Sequence, residues 1–289
     1  MMDRRFLWEL MVLALLVTGC VQESLSGTDY VPNYYIVGTL TDRPEKITVR
    51  LLRNQPVEET SALNGVEGAV LRLYTETENG TDSLITENFI YQRALYTSVE
   101  EIGGTTGSSY WIEITLPDGT FLTSKKEIMP SQIPIESYET VDNGDGNSVN
   151  VLLEFQDPEG RNLYRVTDSP APYEDVTVSG PIGDYDWGLY FDTLFDGQRA
   201  RLNYGPVPVT LYDTEVSLFH LSLSSYEYFN QVERQTDPFD ESLGERIVGN
   251  GFFGTPSLPI IGNIAFEDET PAYGNFNVYS ASSITLPRQ

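Results

Sequence analysis

Residues 109–116 read Ser-Tyr-Trp-Ile-Glu-Ile-Thr-Leu, and every second position in this stretch is apolar. The positions with this spacing are Tyr110, Ile112, Ile114 and Leu116. A period of two places one face of a β-strand toward a core and the other toward solvent. The same spacing recurs at Val149, Val151, Leu153 and Phe155. Both stretches therefore predict half-buried strands.

Less regular runs of the same kind extend the prediction along the chain. They occupy residues 34–41, 46–53, 69–75, 84–91, 120–128, 163–167, 215–221 and 276–284. Turn signals such as Asn79-Gly80, Asp118-Gly119 and Asp196-Gly197 separate them. The N-terminal half holds about seven strand candidates, the number in an immunoglobulin-like or transthyretin-like sandwich. We expect an all-β fold of two antiparallel β-sandwich domains, the N-terminal one immunoglobulin/transthyretin-like.

One short helix is expected in the C-terminal half, near residues 225–235. Ser224 and Glu227 fit a capping box, and Asp237-Pro238 would end the helix. Pro130 and Pro134 bracket a short segment between strand-rich halves. This pattern predicts an N-terminal sandwich over 33–129, of the immunoglobulin-like or carboxypeptidase-regulatory-like kind, and a C-terminal β-rich domain over 135–289.

The first residues carry the features of a lipoprotein signal. Arg4 and Arg5 precede an apolar run, residues 10–17, that is too short to span a membrane as a mature helix. Val17-Thr18-Gly19-Cys20 then fits a lipobox, and Cys20 is the one cysteine of the chain. We predict a signal peptide over 1–19, acylation of Cys20 and a lipidated tether over 20–32. The alternative is a plain secretory signal with an incidental cysteine.

Composition excludes several function classes. The formal net charge of −26 repels nucleic acid, so nucleic-acid binding is not expected. One histidine, His220, removes most routes to a zinc site or a histidine-based triad. It alternates with Val216 and Leu218, which favours a buried, hydrogen-bonded histidine over a catalytic one. No catalytic residue is predicted, and we do not expect an enzyme.

A cluster of oxygen-bearing side chains lies at residues 142–147. Asp142, Asp145 and Asn147, together with Asn143, resemble part of a calcium loop, so calcium is the candidate cofactor. The spacing lacks the complete calcium-loop pattern and its twelfth-position glutamate. A hairpin turn is the alternative reading.

Aromatic and acidic side chains are interleaved over residues 184–192. Tyr185, Trp187 and Tyr190 could stack on the faces of a sugar while neighbouring carboxylates hold its hydroxyls. Buried core aromatics explain the same pattern. A second candidate surface is the apolar, Gly- and Pro-containing segment 244–259, which either docks on a partner or folds back on its own sandwich.

The order of several short landmarks along the chain resembles a known family. The landmarks are residues 36–41, 47–51, 66–71, 107–114, 152–158, 194–197, 225–229, 237–239, 263–264 and 274–280. In this order they resemble the uncharacterised Bacteroidota lipoproteins catalogued as domain of unknown function 4249. The resemblance implies an outer-membrane lipoprotein, on either the cell-surface or the periplasmic face, with an N-terminal carboxypeptidase-regulatory-like sandwich. It also implies association with TonB-dependent receptors that import glycans or peptides, and it carries no catalytic residues to transfer.

Two functions fit these observations. The first is a non-catalytic lipoprotein that serves as an accessory or ligand-binding component of a TonB-dependent receptor uptake complex, with a glycan or peptide ligand. The second is a structural cell-envelope lipoprotein with no small-molecule ligand.

Overall fold

The fold is all-β and sandwich-like, as the alternating sequence predicts. A computed structural model of the chain describes residues 33–53, 65–77, 79–144, 146–171, 188–210, 213–236 and 260–288. Its strands are β1 (Tyr34–Thr41), β2 (Glu45–Arg53), β3 (Val70–Glu76), β4 (Asp82–Thr86), β5 (Phe89–Gln92), β6 (Leu95–Ile102), β7 (Ser109–Thr115), β8 (Phe121–Ser124), β9 (Glu127–Ile128), β10 (Ser137–Asp142), β11 (Ser148–Gln156), β12 (Leu163–Ala171), β13 (Gly188–Phe191), β14 (Arg199–Pro208), β15 (Asp213–Leu221), β16 (Ile261–Phe266) and β17 (Pro271–Leu286). A 3₁₀ turn covers Asp192–Leu194, and the helix α1 covers Leu223–Thr236.

The first core lies against the strands β4-β3-β7-β8-β16-β17-β1-β2-β6-β5, which pair in this order. Its buried residues include Ile36, Leu51, Leu73 and Phe276. The predicted inward face of residues 109–116 is confirmed, because Tyr110, Ile112, Ile114 and Leu116 all belong to this core. Trp111 points the other way and is still buried, since Tyr74 stacks on it and the Lys126 ammonium lies 4.4 Å from its ring centre.

A second core lies between the three-stranded sheet β10-β11-β14 and the strands β12 and β15. The predicted alternation of β11 is confirmed here, because Val149, Val151, Leu153 and Phe155 are all buried. Val166 and Val216 contribute from β12 and β15. Burial of such aliphatic side chains is the main source of stability in a chain without disulfides.

The long strand β17 connects the two cores. Its first half pairs in parallel with β1, through Val37 opposite Asn275, and its second half pairs with β15. The parallel pair departs from the expected all-antiparallel pattern. Because β16 and β17 join the first sheet, strands from the end of the chain complete a core built mostly by its beginning. The division into domains at 129–135 stays a prediction.

The proline-bracketed segment between the halves is bonded along β17. The Gln132 side chain donates to the Ala281 carbonyl at 2.7 Å, and the Ser282 hydroxyl donates to the Ile133 carbonyl at 2.6 Å. The Ser280 hydroxyl and His220 Nδ1 both lie 2.8 Å from the Ser131 carbonyl oxygen. These bonds fix the segment against the strand.

The predicted helix is confirmed, and it begins two residues earlier than expected. Ser222, rather than Ser224, caps it: the Ser222 hydroxyl oxygen accepts the Ser225 N–H at 3.3 Å. The buried face consists of Ser225, Tyr228, Phe229 and Val232, which follow helical spacing. Within the described ranges, no helix has the length and apolar character needed to span a membrane.

Candidate functional site

Three carboxylates converge at one end of the second core. Asp157 follows β11 directly, Asp192 begins the 3₁₀ turn after β13, and Asp196 lies in the turn before β14. One oxygen of each lies within 4.8 Å of the others. Asp157 and Asp192 are only 1% and 5% exposed, whereas Asp196 is exposed. We call these three residues the carboxylate cluster.

Hydrogen bonds hold each member of the carboxylate cluster. The Tyr164 hydroxyl donates to one Asp157 oxygen, and the Gly197 N–H donates to the other at 2.9 Å. Asp192 Oδ2 accepts from the Asn162 N–H at 2.6 Å and from its side-chain amide at 3.2 Å. Asp196 accepts the Gly160 N–H at 2.8 Å. The cluster therefore joins the β11–β12 loop to the turn before β14.

The electrostatics of the cluster follow from burial. Desolvation is the main cause that raises the pKa of Asp157, and the negative charges of Asp192 and Asp196 add to it. Burial and the hydrogen bond to Asp157 also raise the pKa of Tyr164. The His220 ring lies 5.3 Å from the Tyr164 ring, and burial lowers the pKa of this histidine.

Carboxylate oxygens in this arrangement are the ligand type that Ca²⁺ and Mg²⁺ prefer. Within the described residues, the carboxylate cluster is the group able to hold such a cation. The same oxygens also accept hydrogen bonds from the loops. These bonds account for the positions of the carboxylates without a bound cation. Three neighbouring carboxylates do not by themselves define a metal site.

The predicted calcium loop forms the turn between β10 and β11. Asp142 and Asn147 are exposed there, and Asp142 Oδ1 accepts the Gly144 N–H at 2.8 Å, a bond typical of turns. Asp145 lies outside the described residues. Calcium binding by this loop stays a prediction.

Of the predicted ligand-binding aromatics, the structure describes Tyr190. It lies on β13, half-buried, and its hydroxyl donates to the Asn203 carbonyl at 3.1 Å. Tyr185 and Trp187 lie outside the described residues, as do Cys20 and the segment 244–259. His220 is buried and hydrogen-bonded, as its position on the strand predicted.

Comparison with known families assigns the chain. Residues 25–285 match the family described as domain of unknown function (DUF4249). The chain belongs to this family. No curated protein matches the DUF4249 chain. A crystal structure of a mutant Salmonella alpha-2-macroglobulin is similar at 12% identity over 67% of this chain, with a TM-score of 0.21, and the match spans 14% of that chain. A likeness of this size carries no argument about fold or function.

The carboxylate cluster of this DUF4249 chain was not predicted from the sequence. Asp196-Gly197 was identified as a turn signal, but Asp157 and Asp192 are far apart in the chain. The pairing of β12 with β13, which sets Leu163 opposite Phe191, brings them side by side. Asp157 precedes β12 and Asp192 follows β13, and these two strands pair. An aspartate before the first strand and another after the second strand of a predicted hairpin would have indicated the cluster.

Proposed function

We propose that this DUF4249 protein is a non-catalytic, lipid-anchored protein of a Bacteroidota outer membrane, and an accessory or ligand-binding component of a TonB-dependent receptor uptake complex. The observation that carries the proposal is Val17-Thr18-Gly19-Cys20, in which the one cysteine of the chain stands where a lipobox needs it. Acylation of a cysteine with more than one chain gives stable membrane attachment.

The charge and architecture agree with a binding role. An acidic surface with a net charge of −26 favours solubility and association with basic partner surfaces. Sheets with exposed edges and loops at their ends offer surfaces on which a protein or a glycan can dock. The segment 184–192, with Tyr185, Trp187 and Tyr190, is the proposed place for a glycan or peptide ligand.

Co-purification from the native membrane tests the proposal. The full chain, tagged after Gln289, is purified from detergent-solubilised outer membranes, and the co-purifying proteins are identified by mass spectrometry. We expect a TonB-dependent receptor in a stoichiometric amount. The matched control is Cys20→Ser, which should leave the membrane fraction and lose the receptor. Recovery of the anchored protein alone would favour the structural envelope function instead.

A further inference from the structure

Strand β10 is exposed along its whole length. All six of its residues are exposed, including Tyr138 at 41% and Val141 at 47%. Its neighbour β11 alternates between buried and half-buried positions, as a strand over a core does. Among the residues that the structure describes, β10 is the outermost strand in the order β10-β11-β14. Its second edge therefore carries main-chain N–H and C=O groups that face away from the sheet.

Two arginines from β14 form exposed ion pairs with one glutamate of β10 and with the glutamate just before it. Arg199 lies 3.1 Å from Glu136, and Arg201 lies 2.6 Å from Glu139. The register with β11 runs unbroken from Ser137 opposite Glu154 to Asp142 opposite Val149. The pairing of β10 with β11 is thus regular, although none of the side chains of β10 is buried.

Exposed edges are normally protected by charged side chains, above all lysine, by proline or by a bulge that twists the edge away. Residues 137–142 read Ser-Tyr-Glu-Thr-Val-Asp, with neither lysine nor proline, and the register shows no bulge. The two charged side chains are the carboxylates of Glu139 and Asp142, which repel an acidic strand and leave the edge open to a basic one. Tyr138, Thr140 and Val141 favour extended backbone. The edge of β10 therefore keeps the capacity to pair with another strand.

We propose that the free edge of β10 binds an extended peptide segment of a protein partner, which adds a further strand and carries basic residues at alternate positions. Charge determines the choice of partner. Every charged residue from Glu127 to Glu159 is acidic. A second copy of β10 would bring acidic strands edge to edge, and like charges on paired strands repel.

The two faces of β10 determine which side chains are favoured at alternate positions of the added strand. Tyr138 and Thr140 continue the face on which Leu153 and Val151 are buried, because they stand opposite those residues in the register. An apolar side chain of the added strand would pack beside them. On the other face, Arg201 bonds Oε2 of Glu139, and a basic side chain beside the other oxygen of this carboxylate would be favoured. This inference does not depend on the proposed uptake function.

A labelled synthetic peptide of alternating valine and lysine is the probe, and its binding to the full chain is followed by fluorescence anisotropy at physiological salt. We expect saturable binding, with Val141→Lys weakening it roughly tenfold because a lysine protects an edge. The matched control is Ile90→Lys on the outermost strand β5, which should leave binding unchanged. Circular dichroism checks that both variants fold.

A second probe isolates the main-chain bonds. The same peptide with N-methylated backbone keeps its charge but lacks the donors that a strand needs, so it should not bind. Amide hydrogen exchange of the unmodified chain should slow within 137–142 when the first peptide is added. Equal binding of both peptides, no binding of either, or self-association of the chain that Val141→Lys abolishes would each overturn the proposal.

Discussion

Gly274 occupies a backbone position that no other residue can adopt at low cost. Its φ is +99°, and a Cβ there would overlap the carbonyl oxygen of Ile36 on the parallel strand β1. Both the conformation and the close approach require glycine. The landmark around it, residues 274–280, thus has a packing reason.

Gly274→Ala should lower the free energy of unfolding by at least about 3 kcal/mol, because strain and overlap with backbone act together. Gly119→Ala is the matched control: its φ is +88°, yet nothing lies within 4 Å of the added Cβ. The control should cost about 1 kcal/mol. Urea unfolding of both variants measures the difference, and equal losses would show that overlap with Ile36 contributes nothing.

His220 gives a stability that depends on pH. Burial lowers its pKa below the ordinary value of about 6.5, so the unfolded chain takes up a proton before the folded chain does. Stability from this residue is therefore lost as pH falls below about 6.5. Asp157, with its raised pKa, acts in the opposite sense, because its contribution is lost as pH rises from about 3.9.

His220→Gln should remove the histidine contribution while leaving that of Asp157. We expect the difference in unfolding free energy between the natural chain and the variant to shrink as pH falls from about 7 to about 5. Denaturant unfolding at each pH measures it. A difference that does not change with pH would contradict the buried, neutral histidine.

Removing one negative charge from the carboxylate cluster should stabilise the fold. Asp196→Asn keeps an acceptor for the Gly160 N–H and removes one of the charges that raise the pKa of Asp157. In the presence of a chelator, we expect the pKa of Asp157 to fall and stability to rise by less than about 1 kcal/mol. Carboxyl NMR titration and thermal unfolding measure the two effects. Glu159→Gln, a nearby exposed carboxylate outside the cluster, is the control, and a loss of stability in Asp196→Asn would contradict the prediction.

At the scale of elements, α1 is bonded to β17 through a serine. The Ser225 hydroxyl oxygen accepts the Val278 N–H at 3.0 Å, in a place where both residues are buried. Ser225→Ala would leave this N–H without its acceptor. The expected cost is about 1–3 kcal/mol, the penalty for an unsatisfied buried donor.

The control for Ser225→Ala is Glu227→Ala, an exposed position on the same helix. It should change stability by no more than about 0.5 kcal/mol. Thermal and urea unfolding of both variants distinguish the loss of stability caused by breaking the buried hydrogen bond from that caused by a change in helix propensity. Similar losses in the two variants would refute the link between α1 and β17.

At the scale of the whole molecule, the first core depends on the end of the chain. β16 pairs with β8, and β17 pairs with β1, so residues 260–279 complete the sheet that residues 34–128 begin. A fragment of residues 33–129 would expose Ile36, Leu122 and their neighbours on unpaired strands. Such a fragment should fail to fold by itself.

Circular dichroism and the dispersion of amide NMR signals measure the fragment. The matched control joins residues 260–280 to it through a flexible linker, which should restore strand signals because the missing partners return. A folded fragment 33–129 would instead support an independent N-terminal domain, as the proline-bracketed segment suggested.

The sequence and the structure agree where burial is regular. The inward faces of β7 and β11 and the position of α1 follow from spacing, because a core selects apolar side chains at a fixed period. The strands β6, β10, β13, β14 and β16 were not predicted. All six residues of β10 are exposed, so its sequence has no apolar period. In β14, Gly205, Pro206 and Pro208 indicate a loop rather than a strand.

The sequence by itself determined the all-β class, the helix near residues 225–235, the buried histidine and the acidic character, because each depends on local spacing or on composition. Tertiary structure alone decided the parallel pairing of β1 with β17, the carboxylate cluster and the exposed edge of β10. The first two features join residues that are distant in the chain, and the third depends on which described strands pair with β10. Their geometry comes from strand pairing, and a local pattern holds no information on which strand a segment will meet.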